Sequence, residues 1–285
     1  FNYAKFLKGT SLKAIHYGAF EKLGCIADVK KMAVEQRDAP VVDLTAFVSL
    51  QEWTSAADRF INYGDASEIS RLATGQLAPI NRETQGKDIN AKSISTLGKY
   101  LSLHVQDIRT CRSMQLMKGD NARIVGGAIE SIEDTLIKPF DPIFSIIKDE
   151  IKPFLVQEKI GKLFASVAWC IEKDHVQQGI TLLNELVVTI ICDVCGLDLD
   201  DIEKRTVVSS LLNVVAQGIG ESEWKSILTE NMALVHEIQS KKVFGGLCQV
   251  YANISGVRND LNHAGMSDKY SDAAFFSKKL RSFHD

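Results

Sequence analysis

Apolar residues recur at intervals of three and four along most of the chain, which is the period of an amphipathic helix. The first long example starts near Asp43 or Thr45, either of which can cap it, and stops at Tyr63-Gly64-Asp65. Its expected buried face consists of Phe47, Leu50, Trp53, Ala57, Phe60 and Ile61. We therefore predict one long helix here that packs a single face into a core.

The same period continues to the C-terminus and predicts a bundle of helices. We expect further helices at about 66–78, 90–117, 121–138, 143–151, 154–173, 175–195, 199–217, 222–236, 238–253 and 270–283. Two prolines at positions 139 and 142, and a third at 153, mark breaks between them. The predicted fold class is mainly α.

Residues 1–44 have a different pattern. Lys13–Glu21 and Pro40–Leu44 are expected to be strands, joined by a polar stretch. Two strands alone do not make a stable sheet. We therefore divide the chain into an incomplete α/β segment, 1–44, and a helical domain, 45–285. The chain begins with Phe1 and shows no signal-peptide pattern, so we expect it to be part of a longer protein.

Composition is that of a soluble globular protein, with 45% hydrophobic and 24% charged residues. The net charge of −3 argues against a protein that coats nucleic acid, but residues 241–285 hold seven Lys or Arg against four Asp. This basic end suits a local RNA-binding surface. The longest apolar run, Leu186–Cys192, is too short to cross a membrane. We expect no membrane association and a cytoplasmic location.

The cysteines and most histidines favour structural roles. Six cysteines lie mostly in apolar helix-like stretches, which is typical of reduced thiols in a cytoplasmic protein. Cys192-x-x-Cys195 has no second cysteine pair or nearby histidine, which favours core packing over a metal or redox site. Single histidines at 104, 175 and 236 are expected to be structural or on the surface. Trp53, Phe60, Trp169 and Trp224 are expected to anchor the core.

Candidate chemistry is concentrated in Arg258-Asn259-Asp260-Leu261-Asn262-His263, between Gly256 and Gly265. A histidine transfers protons near neutral pH, and a guanidinium holds and neutralises a phosphate. Together they are the groups needed to cleave RNA without a metal. Arg258 and His263 are five residues apart, or roughly 140° around a helix, so one helix does not aim both at one phosphate. A distorted turn or a second copy would complete the site. The alternative is a surface arginine beside a helix-terminal histidine.

Several segments, in the same order and at similar spacing, resemble the CARF–HEPN proteins, the accessory ribonucleases of type III CRISPR antiviral systems. These segments are Tyr17–Glu21, Pro40–Thr45, Trp53–Ala56, Arg59-Phe60, Tyr63–Ala66 and Arg258–Gly265. The resemblance covers most of the chain and implies that 1–44 is the end of a Rossmann-like CARF domain. It also implies that 45–285 is a helical HEPN domain with its motif at 256–265.

The resemblance further implies a metal-independent endoribonuclease that cleaves single-stranded RNA as a homodimer, with no cofactor. Arg258 would hold the scissile phosphate, and His263 would be the general acid or base. Asn259 would orient His263 or the phosphate. Asn262 is a weaker candidate. Cyclic oligoadenylate would be the allosteric activator of the full-length protein. Residues 1–44 are too few for a complete CARF domain, so no activator-binding residue is assigned to this chain.

Two other functions remain open on the sequence. The helices can form a non-catalytic dimerisation or RNA-binding regulator, or the domain can be a toxin-type HEPN ribonuclease outside CRISPR defence. An intact Arg258 and His263 favour an enzyme over a regulator. The strands near Tyr17 and Pro40 favour the CRISPR setting over the toxin, since a toxin does not need the end of a CARF sheet.

Overall fold

A computed structural model describes residues 14–132, 140–266 and 270–284. Its only strands in these ranges are β1, His16–Gly18, and β2, Val41–Asp43, which pair antiparallel. Both strands are exposed along their whole length. The second strand was predicted correctly, whereas the first is shorter than expected.

Two local structures shorten the first strand and divide the segment that follows it. Phe20–Leu23 forms a 3-10 helix where the strand was expected to continue. The polar stretch before β2 contains a short helix, α1, at Ile26–Lys31. Lys13, the expected start of the first strand, lies outside the described residues. The first strand is tied to the helical part because the N–H of Ile15 donates to the hydroxyl of Thr45, the first residue of α2, at 3.1 Å.

Helices dominate the rest of the described chain, so the expected mainly α fold class is confirmed. The first group after the strands is α2 Thr45–Tyr63, α3 Ser67–Glu83, α4 Ile89–Arg109, α5 Ser113–Lys118, α6 Asp120–Glu130 and α7 Asp141–Ile151. The second group is α8 Lys159–Glu172, α9 Val176–Val194, α10 Ile202–Ala216, α11 Ser226–Thr229, α12 Met232–Ser240, α13 Phe244–Asn262 and α14 Ala273–His284.

Helix α9 lies at the centre of the second group. It packs against α8, α10, α13 and α14, and eleven of its nineteen residues are buried. A helix that is apolar on nearly all sides has to be surrounded by other helices. One apolar core continues from Trp53 on α2 to Leu280 on α14. The position of α13, which carries the candidate motif, is therefore set by its packing on α9.

The end of α2 was predicted correctly and is fixed by a close contact. Gly64 follows the helix in a left-handed conformation, with φ +60°, and its N–H donates to the carbonyl of Phe60 at 2.8 Å. A side chain at Gly64 would place its Cβ 2.2 Å from the Trp169 ring. This glycine is therefore required both by the backbone turn and by the packing of Trp169.

Some predicted helices were divided, joined or extended by local geometry. The helix expected at 90–117 is split after Arg109, because Cys111 adopts a left-handed backbone, φ +54°. The helix expected at 222–236 is broken at Trp224, whose extended backbone lets its indole donate to the carbonyl of Ile219 at 3.0 Å. Helix α3 continues through Pro79 to Glu83, five residues beyond its predicted end.

Other differences concern the end of α6 and the exposed face of α2. Helix α6 ends at Glu130, and 133–139, where a helix was predicted to end and a break to follow, lie outside the described residues. Trp53, Ala57 and Phe60 are buried as expected, but Phe47 is 63% exposed. Its side chain, in the first turn of α2, has little cover from the described residues. Helical periodicity predicts which residues share a face, but not how far the covering layer extends.

The cysteine pair packs in the core as predicted. Cys192 is buried and Cys195 lies partly buried against the core, and burial raises the pKa of the Cys192 thiol to about 11. Within the described residues, no group of three or more His, Cys, Asp or Glu side chains is placed to hold a metal ion. No helix there is long and apolar enough to cross a membrane.

The expected anchor residues and the isolated histidines have structural or surface positions. Trp53, Phe60 and Trp169 are buried, and Trp224 is partly buried. His175 stacks on Trp169, with parallel rings 5.5 Å apart. His236 is exposed, and His104 is buried edge-on against Phe154.

Burial of His104 should make the fold sensitive to acid. Burial lowers the pKa of His104 from 6.5 to about 4. Between these values the unfolded chain binds a proton that the folded chain does not, so stability falls as the pH falls. We expect urea unfolding to show a loss of about 2 kcal/mol between about pH 7.5 and about pH 5 from this group. His104→Leu removes the titrating group and should flatten the profile, and an unchanged pH dependence in that variant would contradict the assignment.

Candidate Arg–His site

The motif lies in the last turn of α13 and the turn that follows it. Five buried residues of α13 face the core, at Phe244, Cys248, Tyr251, Ile254 and Val257. The helix was predicted to end at residue 253, before the motif, and this prediction is wrong because one helix, Phe244–Asn262, continues through Gly256. A Cβ at Gly256 would meet nothing within 4 Å, so the glycine marks an open helix face and not a break.

The chain reverses direction immediately after the motif. His263 still has helical backbone angles, φ −77° and ψ 0°, and its N–H donates to the carbonyl of Asn259 at 2.9 Å. Ala264 and Gly265 are both left-handed, with φ +53° and +72°. The N–H of Met266 then donates to the carbonyl of His263 at 2.9 Å. His263 is thus held at the helix end by its backbone.

Arg258 is anchored to the central helix. Its side chain is partly buried, and its Nη1 donates to Oδ1 of Asn184 on α9 at 3.3 Å. Asn184 is only 6% exposed, and its Nδ2 donates to the hydroxyl of Ser255 at 3.1 Å. Ser255 lies one turn before Arg258 on α13. The amide of Asn184 therefore joins two positions of the motif helix, and its bond to Arg258 uses one of the three guanidinium nitrogens, Nη1.

Polar contacts continue along the same face of α13. The hydroxyl of Tyr251 donates to Oδ1 of Asn213 on α10 at 3.3 Å. Burial raises the pKa of Tyr251, while a hydrogen bond with Ser255 and the positive charge of Arg258 act in the opposite direction. The positive charge of Arg258 therefore also acts on the buried Tyr251 side chain within the helix bundle.

The remaining motif residues have separate surroundings. His263 is exposed, and none of the described residues hydrogen bonds its imidazole or connects it to Arg258. Asn259 is also exposed. Oδ1 of Asn262 accepts from Nε2 of Gln177 at the start of α9, at 3.4 Å. The chain thus holds Arg258 against α9 and leaves His263 and Asn259 open to solvent.

The two contacts with α9 show how the helices are aligned. Along α13, Arg258 precedes Asn262, whereas their partners Asn184 and Gln177 follow the reverse order along α9. The helices are therefore antiparallel, and the motif lies beside the first half of α9. This orientation places the exposed His263 near the N-terminal end of α9.

Sequence reasoning missed Asn184 and Ser255. Asn184 interrupts the apolar run Leu182-Leu183-Asn184-Glu185-Leu186, and a polar side chain at a buried helix position requires a hydrogen-bond partner. That requirement was a usable signal for Asn184. The identity of its partner could not be predicted from the sequence. Arg258 lies 74 residues after Asn184, and their contact depends on how the two helices align.

The link between Asn184 and Arg258 can be measured as a coupling energy. Asn184→Ala and Arg258→Ala should each destabilise the protein, and the double variant should lose less than the sum by about 1 kcal/mol, because both remove one bond. Urea unfolding of the four proteins gives this value. Gln177→Ala is the matched control, since its amide reaches Asn262 instead, and its effect should add to that of Arg258→Ala. Additive losses for Asn184 and Arg258 would mean that the bond contributes nothing.

Comparison with known proteins does not assign the chain to a family. No protein-family model matches it, and no curated protein matches it at a significant level. The function is therefore proposed from the residues of the site.

Proposed function

We propose that this protein is a metal-independent endoribonuclease that cleaves single-stranded RNA. One observation carries the proposal: the motif helix pairs an arginine anchored by a buried amide with an exposed histidine at the helix end. An anchored cation suits the binding of a phosphate whose charge increases during reaction. An exposed imidazole suits proton transfer to and from a bound substrate.

The chemistry uses the RNA's own nucleophile. The ribose 2′-hydroxyl attacks the adjacent phosphorus as its proton passes to a base, and the bond to the 5′-oxygen of the next nucleotide breaks as that oxygen gains a proton. The products are a 2′,3′-cyclic phosphate and a free 5′-hydroxyl. His263 is proposed to transfer one of these protons, and Arg258 to stabilise the charge on the phosphate oxygens. Asn259, exposed beside them, is proposed to orient the phosphate or the imidazole.

A second copy of the chain is proposed to complete the site. Arg258 and His263 lie roughly 140° apart around the same helix, and Arg258 is held towards α9. A two-fold axis close to the ends of two α13 helices would place the arginine of one copy near the histidine of the other. The protein is therefore proposed to act as a homodimer.

The setting is proposed from the resemblance to CARF–HEPN proteins. Residues 14–44 form a small exposed hairpin with an intervening helix, in the place where the end of a CARF domain is expected. On this basis the chain acts in type III CRISPR antiviral defence in the cytoplasm. Cyclic oligoadenylate controls it in the full-length protein. No residue of this chain is proposed to bind that activator.

A non-catalytic role is the competing function, and one observation favours it. Arg258 already has a hydrogen-bond partner in Asn184, as an arginine that only stabilises helix packing would. In that case the motif would serve dimerisation or RNA binding. A toxin-type ribonuclease would use the same site and the same chemistry. It differs from the first proposal only in acting outside CRISPR defence.

Cleavage of a fluorescent single-stranded RNA in EDTA tests the proposed function. We expect cleavage by the native chain with no effect of the chelator. His263→Ala should lower the rate by about 10²–10⁴-fold through loss of proton transfer. Arg258→Ala should lower it by about 10²–10³-fold through loss of charge stabilisation.

The exposed His236 on α12 provides a matched control, because His236→Ala removes an imidazole away from the motif. It should cleave at the native rate. A native chain that binds RNA but does not cut it, even when supplied with its upstream domain, would favour the non-catalytic role. Equal rates for the native, His263→Ala and Arg258→Ala proteins would show that the motif is not the catalytic site.

A further inference from the structure

A groove of about 420 Å³ lies between α13 and α14, next to the motif. Gly256 and Asp260, which lie two residues before and after Arg258, form part of its wall on α13. Phe275, Lys279 and Phe283 line it on α14. Residues two apart on a helix lie on opposite sides, so this wall faces away from Arg258, whereas His263, three residues after Asp260, follows on the groove side.

The α14 wall combines flat apolar surface with a cation. The ammonium group of Lys279 lies 5.6 Å from the ring centre of Phe275 and 5.9 Å from that of Phe283. The three residues are one helical turn apart, and both rings are partly exposed. Because Gly256 has no side chain, the opposite wall stays open. A ligand with a planar apolar face and a negative charge has the shape and charge that fit this surface.

We propose that this groove binds one nucleotide of the RNA beside the scissile phosphate. The base stacks on Phe275 and the phosphate pairs with Lys279. The inference rests on the proposed ribonuclease function and extends it to the position of the substrate. Bases of any identity have a planar face, so this contact binds single-stranded RNA without selecting a sequence.

The one acidic residue in the groove limits where the phosphate lies. Oδ2 of Asp260 accepts from the N–H of Ser271 at 3.1 Å, so the carboxylate is held on the side of the groove near the loop before α14. A phosphate there would be repelled. The phosphate therefore belongs at the Lys279 end, and the base edge, with its N–H donors, belongs near Asp260.

Charge also favours RNA over a second copy of the chain as the occupant. Helix α14 holds three Lys or Arg residues and no Asp or Glu. Two copies that met through α14 would bring the exposed Lys278 and Lys279 of one copy near those of the other, and lysine is depleted from the centres of protein interfaces. RNA instead supplies the opposite charge along the whole helix.

The test measures how tightly the non-cleaving His263→Ala chain binds a labelled single-stranded RNA, by fluorescence anisotropy. Added to this background, Lys279→Gln should weaken binding about five- to tenfold and reduce the salt dependence by about one ion. Phe275→Leu, which keeps most of the apolar volume, should weaken binding about fivefold or more through lost stacking. Lys278→Gln is the matched control, because Lys278 is exposed on the same helix but does not line the groove. It should change affinity by at most about twofold.

Thermal unfolding and light scattering accompany each variant, and they separate the possible outcomes. Weaker binding with unchanged folding and unchanged subunit number supports the groove. If both variants keep native affinity while the native chain cuts RNA, the groove does not bind the nucleotide, and the proposed ribonuclease function stands. If a native dimer dissociates in both variants, the groove is a subunit contact instead. If the native chain neither binds nor cuts RNA, the proposed function fails and the groove fails with it.

Discussion

The hydrogen bond between Asn184 and Arg258 is the interaction on which the candidate site depends. Asn184 is a polar residue in a helix that is otherwise mostly apolar and buried, and leaving its amide without a partner would cost roughly 1–3 kcal/mol. Arg258 and Ser255 satisfy it from the neighbouring helix. The same contact links α13 to α9 where the two helices pack, and it directs the arginine towards α9. The packing of α13 on α9 therefore also determines the geometry of the site.

This arrangement divides the motif into a fixed part and an exposed part. The guanidinium is attached to the core, and it can meet a phosphate without first losing much side-chain freedom. His263 lies past the helix end, in a turn with two left-handed residues, where the imidazole is reachable from outside. A substrate or a second copy must bring the two together. The groove beside α14 is proposed to hold the RNA while that happens.

Much of the fold followed from the sequence, but the details of the site did not. Helical periodicity predicted α2 and α9 to within a few residues, because α2 buries one apolar face and α9 is apolar over most of its length. It could not predict the left-handed turn at Cys111, since non-glycine residues rarely adopt that backbone. It also ended α13 at residue 253, before Gly256, because a glycine facing open space looks the same in sequence as one that ends a helix. Arg258 and His263 were found from their chemistry, whereas the partner of Arg258 depends on a contact between distant helices.

The central claim is that one catalytic site contains residues from two chains. Mixing two inactive proteins, Arg258→Ala and His263→Ala, tests it directly after the subunits have exchanged. If the arginine of one chain acts with the histidine of the other, mixed dimers contain one intact pair, and the mixture should recover about a quarter of the native cleavage rate. A mixture that forms mixed dimers by mass spectrometry, yet stays as inactive as its two components, would contradict the shared site.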